Sequence, residues 1–217
     1  MLCEVKYIFI EEILEGAHMA WIKIITVGEA TGRLKKLYEQ VMTPDGHVDH
    51  ILQIHGLRPR TLAAHLSIYK AALHSKPNAL SPRERELIAV CVSRLNACDY
   101  CVEHHTAGLG RHVGDQGLAQ ELGKASVGLP SSAELTEREK AMCAYAAKLT
   151  NFPPTMKASD LDDLRKVGLD DAGILDLNQI VAYFAYANRT VNGLGVEVGG
   201  EPLGLHPDED NEGIRHR

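Results

Sequence analysis

From Glu29 onward the apolar residues recur every three to four positions, the period of amphipathic helices rather than the alternation of half-buried strands. The first stripe is Ala30, Leu34, Leu37, Tyr38 and Val41; it predicts a helix over 29–42, stopped by Thr43-Pro44-Asp45-Gly46. A shorter stripe covers 47–54. After a break at Leu57-Arg58-Pro59, a third helix is expected over 61–73, closed by Lys76-Pro77-Asn78. Leu80-Ser81-Pro82-Arg83-Glu84 is a strong helix start, with Ser81 at the N-cap, Pro82 in the first position and Glu84 completing a capping box. That helix runs to Leu95, Asn96-Ala97 turns the chain, and Cys98 stands at or just before the start of the next helix. This one is expected to reach Leu109 and to end at Gly110. Further helices are expected over 116–122, 136–150 (with a second capping box, Thr136 to Glu139), 159–167 and 170–193. No strand pattern appears between Thr43 and Gly195, so the fold class is all-α, a helical bundle.

The bundle carries an internal repeat. LSPRERELIA at 80–89 and LTEREKAMCA at 135–144 align without a gap at an offset of 55. The echo is selective: at the same offset Glu86 becomes Ala141, Cys98 becomes Pro153 and Cys101 becomes Met156. The scaffold repeats and a polar group in the first copy does not.

The ends read differently from the middle. Residues 1–18 fit poorly with the helical pattern after them and are taken as an N-terminal extension, either non-native, with Met19 as the natural start, or an extra helix or strand. The helical domain then spans 19–198. From Gly199 the composition turns to Gly, Pro, Asp and Glu, and 199–217 is expected to be a flexible acidic tail. The apolar run Val5 to Ile10 is short and leads into Glu11-Glu12; it has neither a cleavage-site pattern nor the length of a membrane span.

Composition narrows the function. Hydrophobic residues make up 45% of the chain and aromatics only 5%, a balance that favours packed helices. A net charge of -6 without a basic cluster argues against nucleic acid or an anionic membrane as partner. The 5 cysteines are an odd number, with Cys3, Cys91 and Cys143 standing alone. That pattern suits a reducing, cytoplasmic setting, where a close Cys-x-x-Cys pair is catalytic or metal-binding more often than structural. Cys91 and Cys143 lie on apolar faces and are read as core.

The pair is Cys98 and Cys101. His105 follows Cys101 by one helical turn and so shares its face, where an imidazole can take a thiol proton. The helix start at Cys98 favours thiolate, so which sulfur attacks stays open on these grounds. Glu86 is far from Cys98 along a straight helix. If the flanking helices form an antiparallel hairpin, however, Glu86 and His105 come to within about one turn of the same level. A relay from Glu86 through His105 to Cys101 follows. Other readings are a zinc site completed by Glu86 with His104 or His105, or a cysteine pair that merely packs. Tyr100 and His104 lie close by without a defined role. Tyr183, Phe184 and Tyr186 are read as core, or as the lining of a pocket.

The stretch ERELIAVCVSRLNACDYCVEHH resembles the signature of the alkylhydroperoxidase D-like proteins of the carboxymuconolactone decarboxylase superfamily, through the spacing of Glu86, Cys98, Cys101 and His105. Trp21-Ile22-Lys23 and Ala187-Asn188-Arg189 resemble its peroxidase-related subgroup. The resemblance implies an all-helical fold with an internal repeat, assembled as a homo-oligomer, trimer or hexamer. It implies reduction of organic hydroperoxides or peroxynitrite by thiols, with no haem, metal or other cofactor and with an external dithiol or reductase as partner. Carried over, Cys101 is the cysteine that becomes a sulfenic acid, Cys98 its proton donor and disulfide partner, and Glu86 and His105 the relay. The best-studied members place a histidine directly before the second cysteine; here Tyr100 stands there. Further functions to be separated from this one are a lactone-acid decarboxylase, a thiol–disulfide adaptor serving another peroxidase, and a zinc-stabilised structural protein.

Overall fold

A computed structural model describes residues 19–74 and 76–204. All their regular elements are helices: α1 (Gly32–Val41), α2 (His50–Gln53), α3 (Pro59–Tyr69), α4 (Pro82–Leu95), α5 (Asp99–Val113), α6 (Gln116–Ala125), α7 (Glu137–Asn151), α8 (Asp162–Lys166) and α9 (Asp171–Leu194). The all-α expectation holds. The expected N-terminal extension, residues 1–18, lies outside the described residues.

Helix α4 is the centre of the molecule because its sequence leaves it no wet face. Residues 85–93 are all buried, and a helix apolar nearly all round must be surrounded. It packs against α5, α6, α7 and α9, and Leu87, Ile88, Leu109, Leu122, Met142, Leu177 and Phe184 interlock in the main core. Cys91 and Cys143 belong to this core as expected, the Cys91 thiol donating to the Ser126 carbonyl at 3.3 Å. A second cluster joins α1, α2 and α3 through Leu34, Tyr38, Leu52, Leu62 and Leu66.

The internal repeat is visible as an exchange of ion pairs. Both expected capping boxes form, Ser81 with Glu84 and Thr136 with Glu139. Each capping glutamate is then held by the arginine of the other copy: Arg83 Nε donates to Glu139 at 2.8 Å, and Arg138 Nε to Glu84 at 2.7 Å. Arg83 and Glu84 correspond to Arg138 and Glu139 under the offset of 55, so the starts of α4 and α7 are clamped reciprocally.

Three expectations need correction. Helix α5 does not end at Gly110; it runs to Val113 and stops at Gly114, whose φ of 71° is the left-handed conformation that closes helices. Gly108 and Gly110 stay helical because neighbours lie where a side chain would be: a Cβ on Gly108 would meet the Glu86 carboxylate at 2.9 Å, and one on Gly110 would overlap the Gln116 amide. Helix α3 does not continue evenly to residue 73 but widens into a π turn over Lys70–His74. The buried Arg85 side chain donates to the Leu73 carbonyl within that turn. Residues 199–204 are not a free tail: Glu201 is buried, Arg111 donates to the Leu203 carbonyl at 2.6 Å, and Gly204 lies against the backbone of Ala107 and Gly108. An acidic residue inside an acidic-looking segment is drawn in by two histidines. The remainder of that segment, 205–217, is outside the described residues.

Burial by itself would raise the pKa of Glu139, but hydrogen bonds from Arg83 and Thr136 hold it below its ordinary value. Glu139→Ala removes a cap and strips Arg83 of its partner, and is expected to cost about 2 kcal/mol in urea unfolding. Glu137→Ala, on the exposed side of the same turn, should stay within about 0.5 kcal/mol. Since folding lowers the Glu139 pKa from 4.5, its contribution is present above that value and is lost as the pH falls through the folded one, so the two unfolding curves converge in acid.

Candidate active site

The α4–α5 connection does the positioning. Asn96 and Ala97 turn the chain, with Ala97 at a φ of 50°, and α9 holds the turn in place. Asn192 donates to the Asn96 carbonyl at 3.0 Å, Asn96 donates to Asn188 at 3.0 Å, and Asn188 donates back to Ser93 at 3.1 Å. Asn188 is completely buried, and its amide is satisfied by its neighbours Asn96 and Ser93. With the turn fixed, α5 runs back along α4.

That hairpin brings Glu86 and His105 together: His105 Nδ1 lies 2.8 Å from Glu86 Oε2. Burial would raise the Glu86 pKa, but the charge and hydrogen bond of His105, then His74 and His112, hold it below its ordinary value. The carboxylate is therefore ionised, and it accepts the hydrogen carried on His105 Nδ1. The imidazole also rests edge-on against Phe184, centroids 4.6 Å apart. Helix α5 can approach this closely only because residue 108 is glycine, as its contact with the carboxylate shows.

Cys98 and Cys101 are both free thiols and buried, in an apolar cluster with Ala20, Ile54, Val191 and Val196. Cys98 is the residue immediately preceding α5, where the amide groups of the first turn and the helix dipole favour negative charge. The hydrogen bond from the Cys101 thiol, against burial and helped by Asn188, lowers the Cys98 pKa below that of an ordinary thiol, and raises that of Cys101 well above it. Of the two sulfurs, Cys98 is thus the one that gives up its proton more readily.

Access points the other way. A narrow cavity of about 40 Å³ is lined by Cys101, Glu86, His105, Tyr69, Tyr183 and Phe184, together with His65, His104 and Asp49. Cys98 does not border it. Tyr183 and Phe184 thus serve as core and pocket lining at once, while Tyr186 is 40% exposed.

The sequence reading missed a second polar group on the cavity's far wall. Glu201 accepts from the His50 backbone at 2.8 Å and pairs with His104 Nε2 at 3.0 Å. Burial pushes the nearby Asp49 carboxyl up to about 6, the His104 charge opposing the rise and the Glu201 charge adding to it. Tyr100, the departure from the family pattern, stacks on His104 with centroids 4.4 Å apart and accepts from the Ile51 amide at 3.3 Å. Its burial keeps the phenol well above its ordinary pKa, so it orients His104 and stays neutral. Nothing in the local sequence marks Glu201, which lies 97 residues from its histidine partner. His104 Nε2 and His105 Nδ1 are thereby committed to carboxylates. Among the described residues no three His, Cys, Asp or Glu side chains gather as a metal-ligand set, and no helix is long and apolar enough to cross a membrane.

Residues 59–119, which include all four residues of the motif, match the model of the carboxymuconolactone decarboxylase family. No curated protein matches the chain. Among solved structures, it is similar to the alkylhydroperoxidase AhpD core of an uncharacterised peroxidase-related protein from Ralstonia eutropha JMP134. That match has 24% identity and a TM-score of 0.74, covering 84% of this chain and 93% of that one. An uncharacterised peroxidase-related protein from Silicibacter sp. TM1040 is likewise 24% identical, at a TM-score of 0.72, over 87% of this chain and 96% of that one. The debrominase Bmp8 is similar at 14% identity and a TM-score of 0.65, over 85% and 93%. The central segment of the chain thus matches the carboxymuconolactone decarboxylase family, and its all-helical fold is similar to that of these alkylhydroperoxidase-like structures.

Proposed function

We propose that this protein is a thiol-dependent peroxidase that reduces organic hydroperoxides, or peroxynitrite, through a dithiol–disulfide cycle at Cys98 and Cys101. One observation carries the reading: a hydrogen-bonded cysteine pair and the Glu86–His105 pair meet at one cavity, with a single sulfur, Cys101, bordering it.

The cycle follows from that division. Cys101 passes its proton to Cys98 or to the relay and, as thiolate, attacks the distal oxygen of the hydroperoxide. The O–O bond breaks, the alkoxide leaves with the electron pair and is protonated, and Cys101 becomes a sulfenic acid. Cys98 then attacks that sulfur, the hydroxyl departs as water after taking up a proton, and a Cys98–Cys101 disulfide forms. An external dithiol or reductase restores both thiols by exchange. Prompt attack by Cys98 removes the sulfenic acid before a second peroxide can oxidise it further. No cofactor enters the cycle, a reducing cytoplasm sustains it, and assembly as a homo-oligomer, trimer or hexamer, suits exposed apolar side chains such as Leu175 and Ile68.

A second reading draws on the aromatic walls and on the debrominase neighbour, one of whose structures holds 2,3,4-tribromopyrrole. The same thiol pair can remove halogen from an aromatic ring, two thiols becoming a disulfide while the carbon–halogen bond becomes carbon–hydrogen and hydrogen halide is released. Halide release from a halogenated aromatic, without peroxide consumption, favours this reading over the first.

Mass spectrometry of the Cys98–Cys101 peptide after one equivalent of alkyl hydroperoxide should show a disulfide. Cys101→Ser should lose peroxide consumption with its helical circular dichroism unchanged; retained turnover in that variant defeats the assignment. Cys98→Ser should instead accumulate a sulfenic acid trapped by a 1,3-dione.

Glu86→Gln removes the charge that holds His105 and is expected to slow disulfide formation about 10²-fold, a usual size for losing a positioned acid–base group. Because folding holds the Glu86 pKa below 4.5, its ion-pair contribution to stability is present above that value and disappears as the pH falls through the folded one. A wild-type rate that the variant matches at pH 7 would remove the relay from the mechanism.

A further inference from the structure

One part of the cavity wall stands outside the helical frame. Past the end of α9 the chain doubles back, and residues 199–204 lie across α5 beside the start of α2. Gly204 reaches the cavity and lines it with Cys101, His104 and His105. Apart from Asp49, at the N-cap of α2, every other lining residue belongs to a helix. Residue 204 fits there only as glycine: its φ is 70°, and a Cβ would come within 2.7 Å of the Gly108 backbone nitrogen.

Polar contacts hold this segment in place. At its base, the Glu197 carbonyl lies 2.9 Å from His50 Nδ1. At its middle, Glu201 accepts from the His50 amide at 2.8 Å and from His104 Nε2 at 3.0 Å. Burial alone would raise the Glu201 pKa, but those hydrogen bonds and the charges of both histidines hold it below its ordinary value. At its end, Arg111 donates to the Leu203 carbonyl at 2.6 Å. Apolar packing adds little. Pro202 and Leu203 are only half-buried, and none of residues 199–204 joins a hydrophobic cluster of the described residues. A segment held in this way opens at a lower free-energy cost than the helices around it.

The cavity, at about 40 Å³, leaves room for only a few water-sized groups beside Cys101. Hydrogen peroxide fits such a space; a branched or aromatic hydroperoxide does not. We propose that residues 199–204 are a strap that sets the size of molecule admitted to Cys101, with Glu201 as its latch. With the strap down, the cavity takes hydrogen peroxide and the smallest alkyl hydroperoxides. Lifting it withdraws Gly204 from the wall and admits bulky organic ones. Glu201 itself does not line the cavity, so it is a positioning residue that acts through the strap. The choice of hydroperoxide rests on the thiol-peroxidase reading of the same site; the gate does not.

Labelling of Cys101 tests the gate without relying on catalysis. Glu201→Ala and Arg111→Ala remove the middle and end contacts, and neither residue lines the cavity. In the reduced full-length protein, peptide-mapped labelling of Cys101 by pyrene maleimide should rise about tenfold in each variant. That is the size expected when a charge-assisted hydrogen bond no longer opposes opening. Labelling by iodoacetamide, a small reagent, should stay at the wild-type rate. With peroxides, kcat/KM for cumene hydroperoxide should rise by the same factor and that for hydrogen peroxide should not change. Arg111→Ala leaves the Glu201–His104 pair intact, so agreement between the variants separates a moving strap from a local disturbance of His104.

Unchanged pyrene labelling in either variant, or equal gains with both reagents, overturns the proposal. So does an active enzyme whose labelling gains come without a selective gain for cumene hydroperoxide. A wild-type protein that consumes neither peroxide, with the labelling pattern as expected, overturns the peroxidase reading and leaves the gate standing.

Discussion

The structure depends on keeping an ionised glutamate in the middle of a helical core. An isolated buried carboxylate is too costly to persist and would take up a proton instead. Glu86 escapes that outcome because α5 returns along α4 at the level where His105 can meet it at 2.8 Å. The requirement reaches outward from there. The backbone of α5 must come within van der Waals range of the carboxylate, which residue 108 permits only as glycine. The turn between the helices must be short and rigid, and two asparagines of α9, buried Asn188 and exposed Asn192, hold it. Buried thiols at the start of α5 are a consequence of the same hairpin, since the chain must begin its return where α4 is wrapped on every side.

The duplicated halves show how such a site can exist without destabilising its scaffold. Stability of the repeat rests on features both copies keep: capping boxes at the starts of α4 and α7 and the exchanged Arg83–Glu139 and Arg138–Glu84 pairs. None of these touches the cavity. The second copy replaces the polar group by Ala141, Pro153 and Met156, and Met156 packs against the main core. One half holds the frame while the other carries strained and polar features such as Ala97 at positive φ and the buried Glu86.

What could be read from the sequence was what is encoded locally. Capping residues, helical periodicity and the Cys-x-x-Cys-x-x-x-His spacing act within one or two turns, so α4, α7 and the hairpin geometry were foreseeable from them. The end of α5 was not, because whether Gly110 stops a helix depends on Gln116 packing against it. Glu201 was hidden for a similar reason. An acidic residue among Gly and Pro looks solvated until His50 and His104, far away in sequence, are found beside it. The widening of α3 into a π turn is equally non-local, its carbonyl being taken up by Arg85 from another helix.

The two sulfurs illustrate why geometry and charge must be weighed together. Electrostatics alone would name Cys98 as the nucleophile, since the helix start and the Cys101 thiol both stabilise its thiolate. A thiolate with no face on the cavity meets no substrate, however, and only Cys101 borders the chamber. A shared proton resolves the conflict, because moving it across one hydrogen bond transfers the charge to the accessible sulfur without bringing a new ion into the core. In the proposed cycle Cys101 rests as the thiol until a substrate fills the cavity. In the proposed cycle the Cys98 sulfur is, one step later, the nucleophile that closes the disulfide.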